Sequence, residues 1–206
     1  MGIDIYLNPE FSKHRDAAQS KFHAAVVKRD KAKTKAAKDK AQEEVEKWHD
    51  AMYAVGYLRE AYHGGPYVTR YLLAEAFNGA GEAAIPAATL RARLPATVLL
   101  AIYRNHVVYE QPEQPGIINL DGAVTGSLLT AMAGVFGPGG AIEQAKTGRD
   151  ADALVAAMTP EQLRQISDRI TKRDLPDHAL WFVEFVDLCE RKEAETGQPC
   201  VIEASY

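Results

Sequence analysis

Cysteine is nearly absent from this 206-residue chain, which has only Cys189 and Cys200. Two such residues fit a reducing compartment and offer no metal-ligand spacing. Reaction-specific motifs are absent as well. There is no GxGxxG, Walker A sequence, HExxH, CxxC or GxSxG, and Gly126-Ser127 lacks the final glycine of a nucleophile elbow. Nucleotide-dependent and hydrolytic enzyme classes therefore lose their support, and neither a cofactor nor a metal is expected.

The start, MGIDIYLNPEF, has neither a basic segment nor a long apolar one, and position 6 is Tyr6 rather than Ser or Thr. Neither a secretory leader nor myristoylation is expected, and a cytoplasmic location follows by default. The longest uncharged run, Gly122 to Ile142, contains Gly126, Gly134, Gly137, Pro138, Gly139 and Gly140. Its helical part is too short and polar to span a bilayer, so a buried central helix near Asp121 to Phe136 is expected and no membrane contact.

The composition is that of a globular chain with one domain, 47% hydrophobic and 25% charged. The net charge of −4 hides a block at residues 28–40 with seven basic side chains and two aspartates. That block is +5 and the remainder −9, an asymmetry that bears on partners rather than on fold.

Between Pro9 and Val55 there is no Gly and no further Pro, so residues 10–55 read as one long helical signal. Val26, Val27, Thr34, Ala37, Ala41, Val45, Trp48, Met52 and Val55 share a stripe at 100° per residue, with the lysines around the rest of the circumference. A straight helix of that length would reach roughly 70 Å, against a radius of gyration of about 17 Å for a compact chain of this size. A projecting arm or a helical hairpin is expected.

Ile3, Ile5 and Leu7 alternate with polar residues, as do Cys200, Ile202 and Ala204. The termini are expected to pair as strands of a small β-sheet. The fold expected is mainly α, a multi-helix body with a long charged helix or hairpin near the N-terminus. Helices are expected over Tyr67 to Phe77, Ile85 to Leu94 and Pro95 to Glu110. Another starts at a Thr159-Pro160-Glu161-Gln162 capping box with Leu163, Ile166 and Ile170 buried, and a last one runs from Pro176 to Thr196 before Gly197. Its apolar side is drawn from Leu180, Trp181, Phe182, Phe185, Leu188 and Cys189.

The richest chemistry lies in GYLREAYHGGPYVTRYL, residues 56–72. Together with Tyr53 it holds five of nine tyrosines: Tyr53, Tyr57, Tyr62, Tyr67 and Tyr71. At helical spacing Arg59 would meet His63, with Glu60 on a neighbouring face and Arg70 beyond the Gly64-Gly65 turn. Arg59 and Arg70 would clamp an anion, His63 would act as acid or base, and the tyrosines would donate hydrogen bonds. The same residues also suit ordinary helix termination, with His63 at the dipole and Gly64 as C-cap. Candidate binding residues are Arg59, Glu60, Tyr62, His63, Tyr67 and Arg70, and on the arm surface Lys28, Lys31, Lys35 and Lys38.

Nucleic acid is not the favoured partner of residues 28–40. No Phe, Tyr or Trp occurs between Phe22 and Trp48, and lysine outnumbers arginine six to one in the block. An acidic ridge of Glu184, Asp187, Glu190 and Glu193 on the last helix would meet a basic partner, including the arm of a second copy, and homo-oligomers through the arm follow from that reading. The leading functional expectation is a cytoplasmic binding or regulatory protein engaging a protein partner through the basic arm and the Tyr/Arg/His-rich junction. A bacterial or phage source is assumed with it, although no residue establishes one. The alternative is a small-molecule enzyme or ligand-binding protein with a site around Arg59, His63 and Arg70.

Overall fold

The computed structural model describes residues 2–61, 68–77, 81–105 and 160–205, with six helices and four strands among them. The fold is mainly α with a small antiparallel sheet. Strand β1, Gly2–Asn8, lies between β2, Tyr57–Ala61, and β4, Cys200–Ser205, while β3, Glu82–Ile85, flanks β4. The expected pairing of the termini is present, with Ile5 opposite Ala204 and Leu7 opposite Ile202. Ile3, Ile5, Leu7 and Ile202 are fully buried on one sheet face, as period-two alternation requires.

Two strands replace expected helix. Tyr57–Ala61 forms β2, with Asp4 opposite Arg59 and Ile3 opposite Glu60. Helical spacing between Arg59 and His63 therefore does not arise. Pairing with β1 overrides local helix propensity, and Gly56, at φ 68°, turns the chain into the strand after the helical run has stopped at Met52. Likewise Ile85 closes β3 instead of opening a helix, because the ring of Pro86 disfavours helical backbone at the residue before it.

The helices expected on either side of Pro95 are one helix, α4, Ala87–Asn105, following the short α3, Val68–Leu72, and a 3-10 turn at Ala74–Phe77. An internal proline costs about 3 kcal/mol. Leu90, Leu94, Val98 and Leu99 are at most 1% exposed on both sides of it, and at about 1.5–3 kcal/mol per buried side chain their packing outweighs the break. Helices α5, Pro160–Lys172, and α6, Asp177–Thr196, complete the body. Ile166 and Ile170 are buried as expected. The Thr159 cap, the Leu163 side chain, residues 106–110 and the central helix at 121–136 lie outside the described residues.

Helices α4 and α6 pack under the sheet, where Val183, Val186 and Cys189 are fully buried. Both cysteines are free thiols, and the Cys200 Sγ lies 3.5 Å from the Cys189 carbonyl, to which it donates. The hydrogen bond to Cys200 and burial push the Cys189 thiol far up.

The long helical signal resolves as an antiparallel hairpin of α1, Glu10–Lys31, and α2, Lys35–Met52. The chain reverses at residues 32–34, and the Thr34 hydroxyl caps α2 by accepting from the Ala37 amide at 3.3 Å. The continuous stripe fails there: Val27 is 49% exposed, and Thr34 and Ala37 are exposed too. The seam consists of Ala18, Ala25, Ala41, Val45 and Met52, all buried and none belonging to the core cluster of the body. Small alanines let the two helices approach closely, and Lys28 pairs with Glu44 across them at 2.8 Å.

Gly56 supplies a direct test of how the hairpin joins the sheet. A Cβ there would sit 3.1 Å from the Leu7 Cβ, whereas a Cβ at Gly197, also left-handed at φ 69°, meets nothing within 4 Å. Gly197→Ala is expected to cost about 1 kcal/mol from backbone alone, and Gly56→Ala clearly more. Urea unfolding of the two variants measures the difference; equal losses would show that the Leu7 contact relaxes freely.

Candidate functional site

Residues 57–61 are split between the two faces of the sheet by strand geometry. Arg59 and Tyr57 emerge on the outer face and Glu60 on the inner one. The Tyr57 hydroxyl donates to Asp4 Oδ1 at 2.5 Å, and the Arg59 guanidinium lies 3.8 Å from the same carboxylate. Burial, then the Asp4 hydrogen bond and charge, raise the Tyr57 hydroxyl well above the usual tyrosine range. Tyr6 is raised as well, first by burial and then by Asp4.

These tyrosines open a run of rings along the hairpin base. Phe11 lies 4.7 Å from Tyr6 and 5.7 Å from Tyr57, and Tyr53 lies 4.9 Å from Tyr57 and 5.4 Å from His49. Further out, Lys21 sits 4.3 Å over Trp48. The tyrosine cluster anticipated at the junction thus exists in part, built from Tyr53 and Tyr57 with Tyr6 and Phe11. Tyr6 comes from β1 and Phe11 from the first turn of α1, and both reach Tyr53 and Tyr57 only because β1 and β2 pair in the folded chain.

Glu60 is 3% exposed and structural in character. Its carboxylate accepts from the amides of Val68 and Thr69 at 3.0 Å and from the Thr69 hydroxyl at 2.6 Å. It also pairs with the Arg104 guanidinium at 3.1 Å. Arg93 completes the support of α3 by donating to the Leu72 carbonyl at 3.1 Å while pairing with Glu75 at 2.7 Å. Its hydrogen bonds hold the Glu75 carboxyl below the usual range. Opposite charges at the two ends of α3 match its dipole, so a single-turn helix is held in place by distant side chains.

Arg70, on α3, lies over the Phe77 ring at 5.5 Å. The strand sends Arg59 to the outer face while α3 docks through Glu60 beneath the inner one, so the two arginines have separate surroundings. Tyr62, His63 and Tyr67 lie outside the described residues. Lys31, Lys35 and Lys38 are exposed at the hairpin tip and form no ion pair among the described residues, whereas Lys28 is engaged by Glu44.

The acidic ridge is mostly consumed within the chain. Arg91 donates to Glu190 and Asp187 at 2.7 Å, Arg173 also pairs with Asp187, and Glu193 accepts from the Ala87 amide at 2.6 Å. Glu190 first, and then Asp187, hold the Arg91 pKa above its already high value. Glu184 remains exposed. It lines a cleft of about 950 Å³ between residues 53–59 and α6, together with Trp181, Leu188 and Arg191. Trp181, expected on the buried side, is 54% exposed. The spacing of Trp181, Glu184, Leu188 and Arg191 marks a second stripe on α6, turned away from Ala179, Val183 and Val186, and that signal was present in the sequence.

No described helix is long and apolar enough to cross a membrane, and no three potential metal ligands cluster among the described residues. Compared with protein-family models, curated proteins and solved structures, the chain matches none.

Glu60→Ala would leave three donors unpaired in the interior and take a carboxylate away from Arg104. A loss of about 3–5 kcal/mol is expected in urea unfolding, with Glu60→Gln losing less because it keeps an acceptor oxygen. Tyr57 generates a pH prediction. Its folded pKa is raised, so its contribution is intact below the ordinary tyrosine value and lost as pH climbs above about 10. Tyr57→Phe should flatten the fall in stability above that pH, as read by thermal melts; an unchanged alkaline slope would contradict the burial of the hydroxyl.

Proposed function

We propose that this is a binding protein whose basic helical hairpin engages an acidic surface on a protein partner. The observation that carries the reading is the division of charge. Arginines of the body, Arg91, Arg93 and Arg104, are committed to carboxylates, while tip lysines Lys31, Lys35 and Lys38 have no ion-pair partner among the described residues.

The tip is also poorly suited to the stability of its own helix. The first turn of α2 has no acidic residue and carries Lys35 and Lys38, which oppose the positive end of the helix dipole. A cost accepted at an exposed position, on an arm with a seam separate from the body core, is what a contact surface would explain. Lysines without interleaved aromatics suit an acidic protein face better than a base-stacking groove. The alternative ligand site on Arg59 and Arg70 has less support, because the two side chains have separate local partners.

The triple variant Lys31→Glu, Lys35→Glu, Lys38→Glu separates function from stability. Positions 35 and 38 should each gain about 0.3–1 kcal/mol from the dipole of α2 while position 31, in the last turn of α1, loses a similar amount, so the melting temperature should hold or rise slightly as partner recovery in affinity capture falls. The capture is run beside a nuclease-treated arm, and recovery from the wild type should decline with added salt. Unchanged recovery by the variant would remove the hairpin tip from the contact, and loss of recovery on nuclease treatment would assign the tip to nucleic acid.

A further inference from the structure

Strand β2 is an edge strand among the described residues, and its register determines which backbone groups face outward. The Leu7 amide donates to the Gly56 carbonyl at 2.7 Å, so Leu7 and Gly56 form a hydrogen-bonded pair. Such pairs alternate along an antiparallel ladder. Leu58 and Glu60 therefore spend their amides and carbonyls on β1, while Tyr57 and Arg59 turn theirs to the open edge. No backbone group among the described residues bonds them there.

The cleft of about 950 Å³ runs beside this edge, with the Trp181, Glu184 and Leu188 stripe of α6 as its far wall. Four large hydrophobic side chains are markedly exposed among the described residues, and two of them, Tyr53 at 40% and Trp181 at 54%, line this one cleft. Exposed apolar area gathered in one concavity marks a contact site rather than ordinary surface scatter. The five residues of β2 extend about 17 Å at strand rise. From Trp181 to Arg191 the helix stripe covers about 15 Å, so one short extended segment matches both walls.

The free edge needs alternating donors and acceptors at the strand repeat, which an extended polypeptide supplies. Glu184 is exposed and forms no ion pair among the described residues, in contrast to Asp187 and Glu190 beside it. From Trp181 to Leu188, ahead of the basic Arg191, the wall thus reads apolar, acidic, apolar. We propose that the cleft between β2 and α6 docks an extended peptide segment of a partner protein, which adds as a strand along Tyr57 and Arg59 and presents apolar, basic and apolar side chains, at alternate positions, to Trp181, Glu184 and Leu188. The site is independent of the hairpin tip and stands whether or not that surface binds.

The test uses the full chain and a fluorescently labelled peptide, Thr-Val-Thr-Lys-Thr-Val-Thr, followed by anisotropy. Saturable binding is expected, weakened roughly tenfold or more by Trp181→Ala and by N-methylation of the peptide amides on the β2-facing side. Glu184→Lys, at an exposed position, should reverse the preference toward the peptide with Glu in place of Lys. The hairpin triple variant should bind as the wild type does. Absence of saturable binding overturns the proposal, as does binding indifferent to N-methylation and to Glu184→Lys, which would be nonspecific charge attraction. Sedimentation showing self-association that excludes the peptide would assign the edge to a second copy and overturn it equally.

Discussion

β1 has hydrogen-bonding neighbours on both sides, and its register dictates where the rest of the chain can go. Ile3, Ile5 and Leu7 must face the helices, so β2 is forced to bring Leu58 and Glu60 inward and Tyr57 and Arg59 outward. A slip of one residue would bury Arg59 and expose Glu60. That register is held from within by Glu60, because its carboxylate ties the strand to the start of α3 and to Arg104 in α4. At the other end Gly56 turns the chain out of the hairpin and into the sheet, with its carbonyl bonded to Leu7.

The charges follow the same division between body and arm. Arginine dominates in the body, where its planar fork spans two carboxylates or joins a carboxylate to a backbone carbonyl, as Arg91 and Arg93 do. Lysine dominates at the hairpin tip, where no partner geometry is imposed. The apparent acidic ridge of α6 is thereby reduced to Glu184, which has no ion-pair partner among the described residues, in the cleft wall. Two surfaces of different chemistry result: a diffuse basic tip, and a short concave edge with aromatic and acidic side chains. They are joined at the hairpin base by the rings of Tyr6, Phe11, Tyr53 and Tyr57.

Residue pattern alone was enough for much of this architecture and little of the candidate site. Terminal strands, the last helix with its Gly197 stop, and the existence of a charged helical arm were all legible, because each depends on periodicity or on local capping within one segment. The two outer strands, β2 and β3, were not. Tyr57–Ala61 has helix-compatible spacing, and only the demand of β1 for a partner makes it extended. The extended backbone of Ile85 was readable from Pro86, yet the continuity of α4 through Pro95 was not, since burial on both sides of the proline decides it.

The sequence by itself determined the hydrophobic phasing of β1, β4 and α6, the lysine-rich character of residues 28–40 and the lack of any reaction motif, since these are properties of adjacent residues. Tertiary structure decided that the arm folds back at residues 32–34, that Glu60 is a buried keystone while its neighbour Arg59 is not, and that Trp181 faces a cleft beside a strand edge left open among the described residues. Each of those outcomes depends on which distant segment becomes a neighbour. Strand pairing and core packing settle that choice, and no local spacing records it.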